Sequence, residues 1–171
     1  MLRINSNRLH VKLFFLLLIL YLYTGILAAQ TALSPNTFKV VAREPIQFGD
    51  FYDLGGGGTI TVDWEGTRST TGDILAIPSS IARPALFKIV LCQEGNVTIT
   101  HEPTTTLTSS NGEVLVLDIG PTEKGLNGAQ FTLTNNCNFK TIIRVGGTLY
   151  IPENSRTGIF TGSFEIYFNQ Q

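Results

Sequence analysis

Methionine occurs once, as the first residue, histidine only at His10 and His101, and cysteine only at Cys92 and Cys137. These shortages narrow the chemistry before any fold is considered. Two thiols and a distant imidazole cannot supply the four ligands, or three and a water, that zinc takes. No clustered acidic loop of the calcium-binding kind is present either. A Ser-His-Asp or Cys-His mechanism would have to run through His101. That residue precedes Glu102-Pro103 at a strand end, a common place for a surface histidine. The Gly-x-Ser-x-Gly elbow is missing. The run from Gly55 to Gly58 is followed by neither Lys-Ser/Thr nor a helical stretch, so it reads as a flexible turn and not as a phosphate loop. The 13 carboxylates leave paired-acid hydrolysis formally open, but nothing marks two of them out. The chain is therefore read as no enzyme, with no catalytic residue, cofactor or metal assigned.

Basic runs are also missing. No stretch carries five consecutive cations, so the electrostatic footprint of a nucleic-acid binder is absent from the sequence. Long apolar runs are confined to one place. Arg3, Arg8 and Lys12 precede the uninterrupted stretch Leu13 to Tyr23, and Thr24, Gly25 and the small pair Ala28-Ala29 follow. A basic start, a short apolar core and a small-residue exit describe a secretory signal peptide. Residues 1–29 are assigned to it, with cleavage after Ala29. The competing reading, a retained anchor, sits at the lower limit of bilayer-spanning length. Residues 30–37 read as a flexible lead-in and residues 38–171 as one domain. Three of the twelve basic residues leave with the signal, so nine remain against thirteen acids, dispersed as on an ordinary soluble surface. The expected location is exported: periplasm, cell surface or medium, with no membrane span after cleavage.

Apolar spacing at three and four residues is lacking beyond the signal, and alternation at two takes its place. Ile60, Val62 and Trp64 share one face of a strand, as do Phe87, Ile89 and Leu91, and Val97 and Ile99. This places Trp64 in the core. The run from Val114 to Leu117 is apolar on both faces and suggests a central strand. Phe131 and Leu133 alternate with threonines, and strand-like stretches follow from Phe139 to Val145 and from Thr148 to Ile151. Phe160, Phe164, Ile166 and Phe168 share a face in the final run. Glu65-Gly66, Thr71-Gly72-Asp73, Glu94-Gly95-Asn96, Ser110-Asn111-Gly112, Gly120-Pro121 and Asn127-Gly128 read as the turns between these runs. About eight to ten short strands at such spacing predict an all-β fold: one antiparallel β-sandwich, Ig-like or pilin-like, with Greek-key connections.

Export to an oxidising compartment and an even count predict a Cys92–Cys137 disulfide. Trp64 and the tyrosines Tyr52, Tyr150 and Tyr167 are the candidates for stacking on a sugar.

Several short stretches together resemble a bacterial family. They are Gly57-Gly58-Thr59-Ile60-Thr61-Val62, Gly66-Thr67-Arg68, Ala85-Leu86-Phe87-Lys88-Ile89, Val145-Gly146-Gly147-Thr148-Leu149-Tyr150-Ile151 and Gly158-Ile159-Phe160-Thr161-Gly162-Ser163-Phe164. The family is a secreted domain of unknown function with a C-terminal VGGTL…G-Y-T-G-F pattern, which resembles fimbrial subunits and spore-coat-U-like domains. Phe160 stands where the pattern has Tyr, and the cysteine pair is not part of it. The resemblance implies an envelope or surface β-sandwich, a structural or adhesion subunit, and carries no catalytic residue. The expected partners are a chaperone or neighbouring subunits, engaged through the C-terminal strand. A monomeric carbohydrate- or ligand-binding module is the alternative. Phe38, Val40 and Ala42 share a face between Pro35 and Pro45. They predict a first strand that pairs within its own domain.

Overall fold

The computed structural model describes residues 38–92, 94–133 and 140–171. The expectations about the signal peptide, the lead-in and Cys137 fall outside the described residues. Asn36–Gln171 forms one contact unit. The described strands, in chain order, are β1 (Phe38–Glu44), β2 (Phe51–Val62), β3 (Arg68–Ala76), β4 (Ala85–Leu91), β5 (Gly95–His101), β6 (Thr104–Ser109), β7 (Val114–Thr122), β8 (Gln130–Leu133), β9 (Thr141–Ile151), β10 (Phe160–Thr161) and β11 (Ile166–Gln170). Every strand pairing is antiparallel, and no helix occurs among the described residues.

Eight strands form one sheet in the order β1-β4-β9-β7-β6-β10, with β2 also pairing β9 and β3 pairing β2. The other sheet has three strands, β11-β5-β8. Alternation decides which side chains fill the space between them. Ile60 and Val62 of β2, Ile89 and Leu91 of β4, Val97 and Ile99 of β5, Leu115 and Leu117 of β7, Leu133 of β8 and Ile143, Val145 and Leu149 of β9 are all buried. Phe87 packs edge-on against Phe164 at 6.2 Å and in a tilted arrangement against Phe168 at 5.9 Å, joining β4 to the C-terminal segment.

The large sheet is organised around β9. On one side it pairs β4 through Thr141–Val145 and then β2 through Gly147–Ile151, while β7 runs along the other side. Gly146 and Gly147 stand where the partner changes. A Cβ on Gly146 would lie 2.7 Å from the Val62 carbonyl oxygen, and one on Gly147 3.0 Å from that of Asp118. Only glycine lets these backbones approach so closely.

The first strand pairs within its own domain as expected, Phe38 opposite Leu91 and Val40 opposite Ile89, and it ends before Pro45. Other expectations need correction. Trp64 is only half-buried, because the strand ends at Val62 and a turn begins. The Asp63 carboxylate accepts the Thr67 amide at 2.7 Å, and Gly66 closes the turn with φ +93°. The run from Gly55 to Gly58 is a bulge inside β2, opposite Gly72 of β3, and Thr71–Asp73 belongs to β3 rather than to a turn. Gly120-Pro121 lies within β7, where the register shifts, and Gly95-Asn96 opens β5 instead of forming a turn. Val114 and Val116 face solvent, so β7 is buried on one face only. The final apolar run is two strands. Phe160 belongs to the large sheet and Phe168 to the small one, and the chain crosses between them after Gly162.

Candidate functional site

The two sheets are unequal in width, eight strands against three, and a concavity lies beside the wider one. A groove of about 1190 Å³ lies on the inner face of the large sheet. Its floor includes Ala85 and Phe87 of β4, Leu115 and Leu117 of β7, Leu149 and Ile151 of β9 and Leu107 of β6. One wall is the β1–β2 connection with Ile46, Phe48 and Phe51, and the other is the segment from Ser155 to Phe164. Its volume lies just above the range of about 300–1,000 Å³ usual for ligand pockets. Ile159 (83% exposed) and Ile81 (67%) give it an apolar rim.

Both walls are tied down by polar contacts. The Arg68 guanidinium donates to the carbonyls of Ile77 at 2.6 Å and Phe48 at 3.2 Å and to the Ser80 hydroxyl at 3.0 Å. Opposite, the Glu113 carboxylate accepts the Arg156 amide at 3.0 Å, and the Thr105 hydroxyl donates to the Ser163 carbonyl at 2.9 Å. Asp53 lines the groove, but its Oδ1 is engaged by the amides of Gly55 and Gly57 at 2.9 and 3.0 Å. That contact fixes the bulge in β2.

The groove borders β11. Phe87 and Phe164 line it, and Phe168 of β11 rests on Phe87. In the three-stranded sheet β11 is an end strand, paired to β5 along one edge from Ile166 opposite His101 to Gln170 opposite Val97. A strand at the edge of a sheet presents backbone donors and acceptors that another strand can use.

His101 is not the surface histidine expected from the sequence. It is 8% exposed, on the inward face of β5. Its Nδ1 lies 2.8 Å from the Glu102 carbonyl, and its Nε2 is buried without a partner among the described residues. Its main chain is latched on both sides by Asn127, which donates at 2.7 Å and accepts at 3.1 Å. Cys92 directly follows β4, and there is no free cysteine among the described residues. Among those residues no group of three or more His, Cys, Asp or Glu is placed to hold a metal ion.

Of the aromatic candidates, Tyr150 stands out. It is exposed on the outer face of the large sheet, and the nearby Asp118 carboxylate, by hydrogen bonding and by its charge, raises its pKa above the ordinary tyrosine value. Around it the register lines up hydroxyls in two rows across five strands. One is Thr71–Thr59–Tyr150–Val116–Thr106 and the other Ser69–Thr61–Thr148–Asp118–Thr104. The Thr59 and Thr71 hydroxyls meet at 2.7 Å, and those of Thr61 and Thr148 at 2.9 Å. Tyr52 and Tyr167 are exposed elsewhere, Tyr167 bonded to Glu165.

The expectation of dispersed charge is overturned at the opposite end of that outer face, where cations gather on β1, β4 and β9. Lys88 is at their centre. Loss of solvent, then the charges of Lys140, Arg43 and Lys39, lowers its pKa below the ordinary lysine value. The signal was present in sequence as cations alternating with aliphatics, in Lys39-x-Val41-x-Arg43 and Lys140-x-Ile142-x-Arg144. It could be read only once the strands were known to be neighbours.

Comparison with curated proteins and with solved structures returned no match. One family profile does match, that of a domain of unknown function (DUF4402), over residues 38–169, from the first residue of β1 to the penultimate residue of β11. The chain belongs to that family.

Proposed function

We propose that the chain is an exported, non-enzymatic β-sandwich protein of the bacterial envelope or surface, serving as a structural or adhesion subunit of the fimbrial kind. The observation that supports this reading is the open edge of β11 beside an apolar groove. A strand added to that edge would gain backbone hydrogen bonds from β11 and set alternate side chains toward the groove, the two ingredients of β-augmentation. A chaperone or a neighbouring subunit is the partner proposed. Because β1 is already paired at home, the domain needs no donated strand to complete its N-terminal edge.

The Cys92–Cys137 bridge belongs to the same proposal. In the chain-entropy model a closed loop of about 45 residues stabilises by roughly 4 kcal/mol. Intact mass with and without reductant checks it, and two free thiols in folded, unreduced protein count against it.

Fractionation with measurement of assembly mass tests the function. The protein should leave the cytoplasm and occur in assemblies that denaturant dissociates. The double change Ile159→Ser, Phe164→Ser should reduce assembly while the monomer still melts cooperatively. A strictly monomeric cytoplasmic protein overturns the proposal. The alternative, a monomeric carbohydrate-binding module, draws support from the exposed Tyr150 ring among threonine hydroxyls, an arrangement suited to stacking and hydrogen bonding with a sugar.

A further inference from the structure

The cations at the β1 end of the outer face form a grid. Across β1 and β4, Lys39 is opposite Val90 and Val41 opposite Lys88. Across β4 and β9, Lys88 is opposite Ile142 and Leu86 opposite Arg144. Arg43 sits in the register shift of β1, and Lys140 immediately precedes β9. Lys88 therefore has cations on its diagonals and aliphatics directly beside it, and diagonal neighbours on one sheet face are within reach of long side chains. With strands about 4.8 Å apart and same-face residues about 6.7 Å apart, the grid covers roughly 10 by 13 Å. Five of the nine basic residues beyond the signal stand on it, in a domain with thirteen acids.

The neighbouring acids do little to neutralise it. Glu123 pairs with Arg144 at 3.0 Å, and Glu44 is taken by Arg83 at 3.0 Å. Among the described residues no ion pair reaches Lys39, Arg43, Lys88 or Lys140. Charged residues on an edge strand also deter unwanted pairing, which would account for Lys39 and Arg43 on β1. It does not account for Lys88 and Arg144, which belong to interior strands, or for Lys140, which immediately precedes one.

We propose that this grid docks the domain onto an anionic lipid surface, the cations meeting phosphate headgroups while Val41, Leu86, Val90 and Ile142 rest against the acyl boundary. Charge complementarity selects an anionic partner. The interleaved residues select lipid within that class. They are four aliphatics, with neither a hydroxyl nor an aromatic ring for a sugar or base. Interfacial binding draws on both apolar contact and attraction to anionic headgroups. The inference is independent of whether β11 takes a partner.

The test is co-sedimentation of the processed protein, beginning near residue 30, with vesicles of phosphatidylglycerol and phosphatidylcholine in equal parts. Phosphatidylcholine vesicles are the control, and soluble polyphosphate is the competing anion. Wild type should bind the anionic vesicles alone and be released by high salt. Lys88→Gln with Lys140→Gln should weaken binding about tenfold or more. Ile142→Ser should weaken vesicle binding while leaving any polyphosphate binding unchanged. Tyr150→Ala, on the far end of the same face, should bind as wild type does, with every variant checked by its thermal melt. Equal binding to neutral vesicles, no binding to anionic ones, or vesicle binding indifferent to Ile142→Ser would each overturn the proposal, the last assigning the grid to a soluble polyanion.

Discussion

The outer face of the large sheet has two ends that share a strand and almost nothing else. At one end β9 contributes Ile142 and Arg144, with Lys140 just before it, beside Lys88 and the cations of β1. At the other it contributes Thr148 and Tyr150, between the threonines of β2 and the outer residues of β7. The alternation of β9 is the same throughout. What changes is the neighbour, from β4 to β2, and it changes at Gly146-Gly147. One end is governed by repulsion among like charges and so by salt. The other is governed by short hydroxyl–hydroxyl contacts, which salt scarcely touches. A strand thus takes its surface chemistry from the strands laid against it.

The strongest way to break that comparison is to disturb the seam itself. Gly146→Val places methyl groups against the Val62 carbonyl and the Asp63 main chain. It should cost about 3 kcal/mol, as overpacking of a fixed backbone does. Urea unfolding would show this as a lower midpoint at unchanged slope. A midpoint within error of wild type would mean that the two ends are not held by this close approach.

A smaller change sharpens the contrast. Thr61→Val removes one member of the Thr61–Thr148 hydroxyl pair and should cost about 1 kcal/mol. That loss should be the same at low and high salt. Lys88→Gln should act in the opposite direction, giving a slight gain in melting temperature at low ionic strength as the loss of solvent around the ammonium, and then crowding by Lys140, Arg43 and Lys39, is relieved. The gain should shrink at high salt, where exposed charges are screened. The pH dependence follows from the sign of the lysine shift. A folded-state pKa below the unfolded one means that protonated Lys88 opposes folding, fully at neutral pH, and that its opposition fades as pH rises through the lysine range. Equal salt responses of Thr61→Val and Lys88→Gln would erase the distinction between the two ends.

Much of the inward face was legible because alternation reports it directly. Ile60 with Val62, Phe87 with Ile89 and Leu91, and Val97 with Ile99 all point where their period places them. The failures have local causes. Trp64 continues the period of β2 on paper, but Asp63 starts a turn by accepting the Thr67 amide. The glycine run is rich in turn residues, yet Gly72 across the ladder and the Asp53 carboxylate hold it as a bulge. The C-terminal residues keep their common inward face, with Phe160, Phe164, Ile166 and Phe168 all packed on the core, but nothing in a period of two says when a chain changes sheets. The groove and the cation grid were the least legible. Each is assembled by pairings between strands far apart in the chain, such as β1 and β4 with β9, that a single sequence does not declare.

The double pairing of β9 has a further consequence, for the order of events as the chain emerges. β2 and β4 are made early, yet each has β9 for a neighbour, and Ile60 waits for Leu149 as Phe87 waits for Ile143. Until the chain has been made as far as about Ile151, both strands keep an unsatisfied edge. Loops that long are slow to close, and the wait is a period of exposure to aggregation. For a chain made from its N-terminus, β9 acts as the clasp, closing two halves together once most of the domain has been made.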